Sequence, residues 1–470
     1  MSKATATTNR GMSSKEPQKG EGNGEAQPCF GLRPSGFGFR ISELGKGSAM
    51  MGGFPLALLF AVAGAGLVLL AAGPASAAPL ARFTVEAGPR DRQDVPLEVP
   101  VSLPKVPVRL EEVAADGRRA VPFQLSQPRA EGPLRLAWVL SGKTLAGARR
   151  TFELVPGEPP PMAGGVHVRQ DAEVLTVECG GATVLQYNHA VVPPPEGQDP
   201  RYARSGFIHP LRSPGGQALT AIHPKDHIHH MGLWNAWVHT EFEGRKPDFW
   251  NLKGGTGLVR FVRFAWTASG PVFGGFRAVQ EQVDLKAPGG GKVALTEDYD
   301  VRVWRPGDDR KAFLADVVIA DRCATASPLK LPAYRYGGFG FRATEKWNKA
   351  SSDYLTSEAK TRTDGHGTRS RWCIIQGRTD EGPAGILFMS HPENREHPEP
   401  MRIWPNGPIF FNYCPIQKTD WTLEPGKEYV LRYRLCVYDG SLDAAAAEAL
   451  WQDYAAPPKV NAERGTRNAE

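Results

Sequence analysis

Tyr429-Val-Leu-Arg-Tyr-Arg-Leu-Cys-Val-Tyr438 sets Tyr429, Leu431, Tyr433, Leu435 and Val437 on alternate positions, with Arg432 and Arg434 between them. A period of two marks a strand with one buried face, because successive side chains of an extended backbone point to opposite sides. Working outward, short β-type runs recur at residues 173–178, 258–267, 275–285, 292–304, 313–321, 372–377 and 385–390. Only residues 441–455 read as a helix, with Ser441 as N-cap and Leu442, Ala446, Ala449 and Leu450 as the apolar stripe. Sheets with so little helix to cover them must pack on one another. The expectation is an all-β chain: a large antiparallel β-sandwich over 165–456, closed by a C-terminal helix.

Upstream, short β-type runs between residues 83 and 155 are separated by Pro and Gly, which predicts a small β-sandwich domain over 78–158. Gly157-Glu-Pro-Pro-Pro-Pro followed by Gly164-Gly is a stiff then flexible linker. The tail 457–470 is expected to be disordered.

Residues 1–49 carry little apolar content and are expected to be a disordered or mis-assigned extension, with Met50 or Met51 as the start. Phe54 to Ala72 is an unbroken apolar and small-residue run ending in Gly73-Pro74 and Ala75-Ser76-Ala77. That predicts a signal peptide over 50–77, cleaved after Ala77, and an exported protein; an uncleaved anchor is the alternative, and the only membrane contact foreseen. The leader holds seven Lys and Arg against four Asp and Glu, half of the formal charge of +6. With no Lys/Arg run in the remainder, a nucleic-acid surface is excluded. The five cysteines after the leader show no C-x-x-C spacing, which argues against a zinc knot and for unbridged strand cysteines.

His223-Pro-Lys-Asp-His-Ile-His-His-Met-Gly-Leu-Trp gathers four of the eleven histidines. Pro224 opposes a helix, so the segment is expected to be extended, with His227 and His229 on one face and His230 and Asp226 on the other. An H-x-H pair admits a divalent metal on His227 and His229, with a third ligand from His209, Asp248 or His391. Equally, a neutral imidazole near its usual pKa moves protons without metal, which makes His229 and His230 candidate acid and base, with Asp248 or Glu393 as partner. The second polar concentration is Ser390-His-Pro-Glu-Asn-Arg-Glu-His, where His391, Asn394 and Arg395 are candidates for binding substrate hydroxyls. Trp234, Trp237, Trp250 and Trp404 offer stacking surfaces, and Arg335 opens a Gly-rich aromatic run where backbone approaches a ligand closely. No G-x-S-x-G, Walker, dinucleotide-binding or H-E-x-x-H pattern is present.

Gly206-Phe-Ile-His-Pro-Leu, Asp226-His-Ile-His-His-Met-Gly-Leu-Trp, Asp248-Phe-Trp-Asn, Arg335-Tyr-Gly-Gly-Phe-Gly-Phe-Arg and Asn412-Tyr-Cys-Pro-Ile-Gln-Lys together resemble a bacterial family labelled "methane oxygenase PmoA-like", over about residues 165–440. The resemblance implies no catalytic residues. The expected architecture is also similar to the galactose-mutarotase-like supersandwich, an analogy that points to carbohydrate. The leading expectation is an exported carbohydrate-active enzyme acting on a small sugar or glycan, of epimerase, lyase or hydrolase type. The alternatives are a metal-dependent oxidative enzyme and a non-catalytic glycan-binding or scaffold protein.

Overall fold

The strand Glu428–Asp439 lies between Ala312–Cys323 and Gly382–Ser390, antiparallel to both. In the computed structural model, which describes residues 78–127, 131–161, 164–305 and 311–464, this strand sits at the middle of an eight-stranded sheet. Leu431, Tyr433, Leu435 and Val437 are buried in the main core, as their alternation requires. The opposite face is covered as well. Arg434 forms two hydrogen bonds, at 2.6 and 2.8 Å, to Asp316 directly across the ladder, while Cys436 and Tyr438 enter a second core with Trp372, Leu387 and Ala447.

Facing the eight-stranded sheet is one of nine strands, running in order from Arg369–Ser370 through Glu399–Ile403, Phe410–Tyr413, Gly338–Arg342, Leu233–Ala236, Phe207–Leu211, Ala182–Asn188 and Val174–Cys179 to Val166–Gln170. The two sheets share one apolar core, in which Phe339 stacks on Tyr433 at 4.8 Å and Phe341 meets Phe388 at 5.0 Å. All-β packing of antiparallel sheets into a sandwich is therefore what the chain adopts.

A five-stranded and a three-stranded sheet form the small sandwich around Phe83, Trp138, Phe152 and Leu154. Its strand Arg135–Thr144 serves two cores by alternation: Leu136, Trp138 and Leu140 fill the small one, and Ala137 and Val139 join the second core beside Phe273 and Trp304. The described residues accordingly fall within one compact unit.

Three expectations need correction. Residues 459–464 of the supposedly disordered tail form a strand, Lys459–Arg464, paired with Ala81–Glu86 along its whole length. The helix is Ala444–Ala455, and its N-cap is Asp443, whose side chain accepts the Ala446 N–H at 2.8 Å, not Ser441. Ala449 is exposed; Leu442, Leu450, Trp451 and Tyr454 do the packing. Cys179, Cys373, Cys414 and Cys436 are buried and Cys323 is half-buried. Among the described residues no helix is long and apolar enough to cross a membrane. The expected extension 1–49 and the expected signal peptide 50–77 lie outside the described residues.

Candidate active site

Residues 223–230 are not an extended strand. Ile222 bridges Met231, and between them the chain makes successive turns in which His227 N–H donates to the Pro224 carbonyl at 3.1 Å and His230 N–H to the His227 carbonyl at 2.9 Å. The Nδ1 of His223 lies 2.8 Å from the Ile228 carbonyl and closes the loop. Pro fixes φ for a turn as readily as for extended chain, which is why the sequence misled. Exit from the loop depends on Gly232: at φ +63 its absent Cβ would lie 2.3 Å from the Ile208 carbonyl oxygen.

The turns gather three rings that alternation would have separated. His230 stacks between His227, at 4.8 Å, and Phe410, at 4.7 Å, with His229 edge-on to it at 4.7 Å. Trp404 stands edge-on to His227 at 4.5 Å. With Trp250, Asn251, Arg335, Tyr336 and Arg402 these side chains line a cavity of about 150 Å³. That volume admits a single six-membered ring.

Burial sets the chemistry of the rings. Desolvation, aided by His227 and by the charges of Arg204 and Arg342, pushes His229 down to about 3. Burial carries His230 well below the usual imidazole value, and lowers His227 against the opposing pull of Asp226. All three are neutral near pH 7 and serve as proton acceptors or N–H donors. The Nδ1 of His230 is buried without a hydrogen-bond partner among the described residues. His227 Nδ1 lies 3.3 Å from Asp226, whose carboxylate is gripped by Arg342 at 2.6 and 3.0 Å. Desolvation raises the Asp226 carboxyl, but Arg342 outweighs it and holds the group ionised. Arg342, Asp226 and His227 thus form a chain that fixes one ring nitrogen.

Asp226 replaces the partners expected from sequence. Asp248 caps a turn, accepting from the N–H groups of Trp250 and Asn251 at 3.0 and 2.9 Å and from the Asn251 side chain at 2.6 Å; Asn251 in turn accepts the Tyr336 hydroxyl at 3.0 Å. Asp248 therefore supports the wall and does not line the cavity. Trp234 is fully buried beneath His230 and Trp250 and is the floor, not a stacking surface. Trp237 is likewise buried, its indole N–H donating to Asp321 at 2.9 Å.

The loop 390–397 does not join this cavity. His391 lines a separate one of about 520 Å³ with Arg432 and Tyr454. Glu393 is exposed and pairs with Arg432 at 3.4 Å; Asn394 is buried on Glu399 and the Arg432 backbone; Arg395 donates to Thr419 and to the Asp420 carbonyl. Nor is the metal expectation met. His227 and His229 meet edge to face at 5.6 Å, and among the described residues no group of three His, Cys, Asp or Glu is arranged to hold a metal ion.

Residues the sequence reading passed over are Asn251, Tyr336, Arg342, Arg402 and Phe410. Arg342 ends the Gly-rich run, and that run is held in place by Asn412, whose side chain accepts the Gly337 N–H at 3.1 Å and donates to the Phe339 carbonyl at 2.8 Å.

The model of a family described as "Family of unknown function (DUF6807)" matches residues 174–452, a span containing the whole cavity. The chain belongs to that family. No curated protein matches it. Solved structures with distant likeness include a protein in the glycosyl hydrolase family 38 from Enterococcus faecalis, at 11% identity and TM-score 0.34, covering 83% of this chain and 48% of that one. Heparan sulfate lyase HepC from Pedobacter heparinus matches at 10% identity and TM-score 0.26 over 61% of this chain and 38% of its own. A TPR-domain containing protein from Parabacteroides distasonis matches at 11% and TM-score 0.19, over 75% and 56%. The chain thus spans about half or less of the first two.

Proposed function

We propose that this chain is an exported carbohydrate-active enzyme that uses a neutral imidazole of the His227, His229, His230 cluster as general base on a sugar held against Trp404. The observation that carries the reading is the convergence of these three rings in one cavity, with Asp226 behind His227 at 3.3 Å. A neutral ring takes a proton from substrate, and the imidazolium that forms at His227 is stabilised by the adjacent carboxylate. Asp226 plays the positioning part, and Arg342 keeps it from turning away.

Within the class, proton abstraction of the epimerase or lyase kind is favoured over hydrolysis. Most glycoside hydrolases place two carboxyl groups across the scissile bond. Among the described residues no Asp or Glu lines this cavity. The PmoA-like resemblance is part of the same proposal, since three of its five segments supply cavity residues.

The test is solvent exchange. The protein incubated in D2O with a panel of monosaccharides and short glycans is expected to place deuterium on carbon if it epimerises, or to leave an unsaturated sugar if it eliminates, both read by NMR, and His229→Gln or His227→Gln is expected to slow this about a hundredfold or more. Turnover that neither places deuterium on carbon nor leaves an unsaturated sugar, or turnover untouched by both substitutions, sinks the reading.

A further inference from the structure

Two guanidinium groups face the imidazole cavity, and neither has a carboxylate partner among the described residues. Arg402 donates to the Nε2 of His366 at 3.0 Å, and the Arg335 guanidinium lies 5.6 Å over the rings of Tyr334 and Tyr336. Neighbouring acids are already engaged. Asp226 belongs to Arg342, Asp248 caps its turn, and Asp420 accepts the Ala333 N–H at 2.7 Å. Arg402 is half-buried, and burial together with the charge of Arg335 lowers its pKa. Arg335 is also shared with a second opening, of about 510 Å³, lined by His366, Gln417 and Lys418 and again by no Asp or Glu.

Two like charges drawn together, one of them half-buried, disfavour one another, and a bound carboxylate relieves the repulsion and pairs the half-buried Arg402 through charge-assisted hydrogen bonds. An anion that seats there has a second effect: it brings negative charge beside three imidazoles held neutral by burial and by nearby cations, and so raises their basicity as it binds.

We infer that the cavity and the adjoining groove form one continuous subsite for an acidic oligosaccharide, with a sugar carboxylate between Arg335 and Arg402 and the next acidic unit beside Lys418. This rests on the carbohydrate reading above and specifies its substrate class. The uronate would supply, through its own charge, part of what makes the imidazoles competent.

Calorimetric titration of the full chain with galacturonate, a galacturonate trisaccharide and the matching neutral galactose trisaccharide tests it. The acidic trisaccharide is expected to bind about tenfold or more tightly than its neutral counterpart, a preference that fades at high salt. Arg402→Met is expected to abolish the preference for acidic ligands of either length. Lys418→Met is expected to weaken the trisaccharide alone. Arg335→Met, at an exposed position, serves as the second variant should Arg402→Met fold poorly. Equal binding of acidic and neutral trisaccharides overturns this inference and leaves the sugar reading standing. Preferential binding of uronates with neither deuterium exchange nor an unsaturated product upholds it and removes the catalytic reading. Failure of every sugar to bind removes both.

Discussion

Arg342 grips Asp226 through both terminal nitrogens, at 2.6 and 3.0 Å, from a position where its own side chain is 1% exposed. Removing the carboxylate strands a buried guanidinium. Asp226→Ala is expected to lower stability by about 2 kcal/mol, less than a fully buried pair because Asp226 itself reaches solvent. Asp226→Asn, which keeps the shape, is expected to retain more of that stability yet lose activity about tenfold or more as His227 loses its orienting charge. Chemical denaturation and D2O exchange rates on both variants separate the two effects.

Stability near the cavity depends on pH with a definite sign. His229 is held down to about 3 and His397 and His209 to about 4, so between those values and the ordinary imidazole range the unfolded chain binds more protons than the folded one. Their contribution is complete above about pH 6.5 and is lost as pH falls. Glu399 and Asp321, pushed up to about 7 by burial, act oppositely: the folded chain holds their protons, so their contribution is present at low pH and fades as pH rises towards 7. The two sets oppose each other between about pH 4.5 and 6.5, and below that the histidines dominate. Substituting His229 with Gln should flatten the acid limb by at most about 1.4 kcal/mol per pH unit, less because the ring is partly exposed. Melting curves from pH 4 to 8 measure it, and parallel wild-type and variant limbs would contradict the assignment.

Trp404 lines the cavity and meets His227 in a T-shaped contact at 4.5 Å. Trp404→Ala is expected to raise KM about fivefold to tenfold, the loss of about 1 kcal/mol of ring contact, with a smaller change in kcat. Loss of ligand-induced quenching of indole fluorescence in the variant would identify Trp404 as the reporter.

Gly340 leaves no room beneath the floor, since a Cβ there would lie 2.6 Å from the Trp250 ring and 3.2 Å from Trp234. Gly340→Ala is expected to cost about 1–3 kcal/mol through overpacking and to weaken ligand binding by shifting Trp250. Thermal melts and ligand titration on the same preparation check both.

Asn394 and Arg395 are neighbours in sequence with opposite expected consequences. Asn394 donates to Glu399 and the Arg432 carbonyl and accepts the Arg432 N–H at 2.7 Å, all away from water, so Asn394→Ala should lose about 2–3 kcal/mol. Arg395→Ala should change stability by about 0.5 kcal/mol and leave turnover unaltered. A marked activity defect in Arg395→Ala would return that loop to the site.

Strand periodicity made the sheets legible, because alternation such as Leu431, Tyr433, Leu435 is a local property that packing then obeys. The histidine segment was legible by composition and not by geometry. Its rings converge through two turns, and turns are set by hydrogen bonds that a spacing rule does not contain. The joining of 223–230 to 391–397 failed for a different reason: both segments are polar loops, but Asn394 is tied to Arg432 and Glu399 whereas His230 rests on Phe410, and His391 and His230 line separate cavities. Arg402 and Phe410 lie in ordinary strand sequence, and only the pairing of strands within the nine-stranded sheet brings them to the imidazoles. The tail strand was missed because Lys459 to Arg464 is polar, and its order comes from a partner more than 370 residues away.

That pairing has a bearing on how the chain is made. Ala81–Glu86 is synthesised before the large sandwich, yet one of its edges waits for Lys459–Arg464, which is synthesised after it. The small sandwich therefore passes through translation with an open hydrogen-bonding edge, and is zipped shut only after the large sandwich between its two ends has been produced.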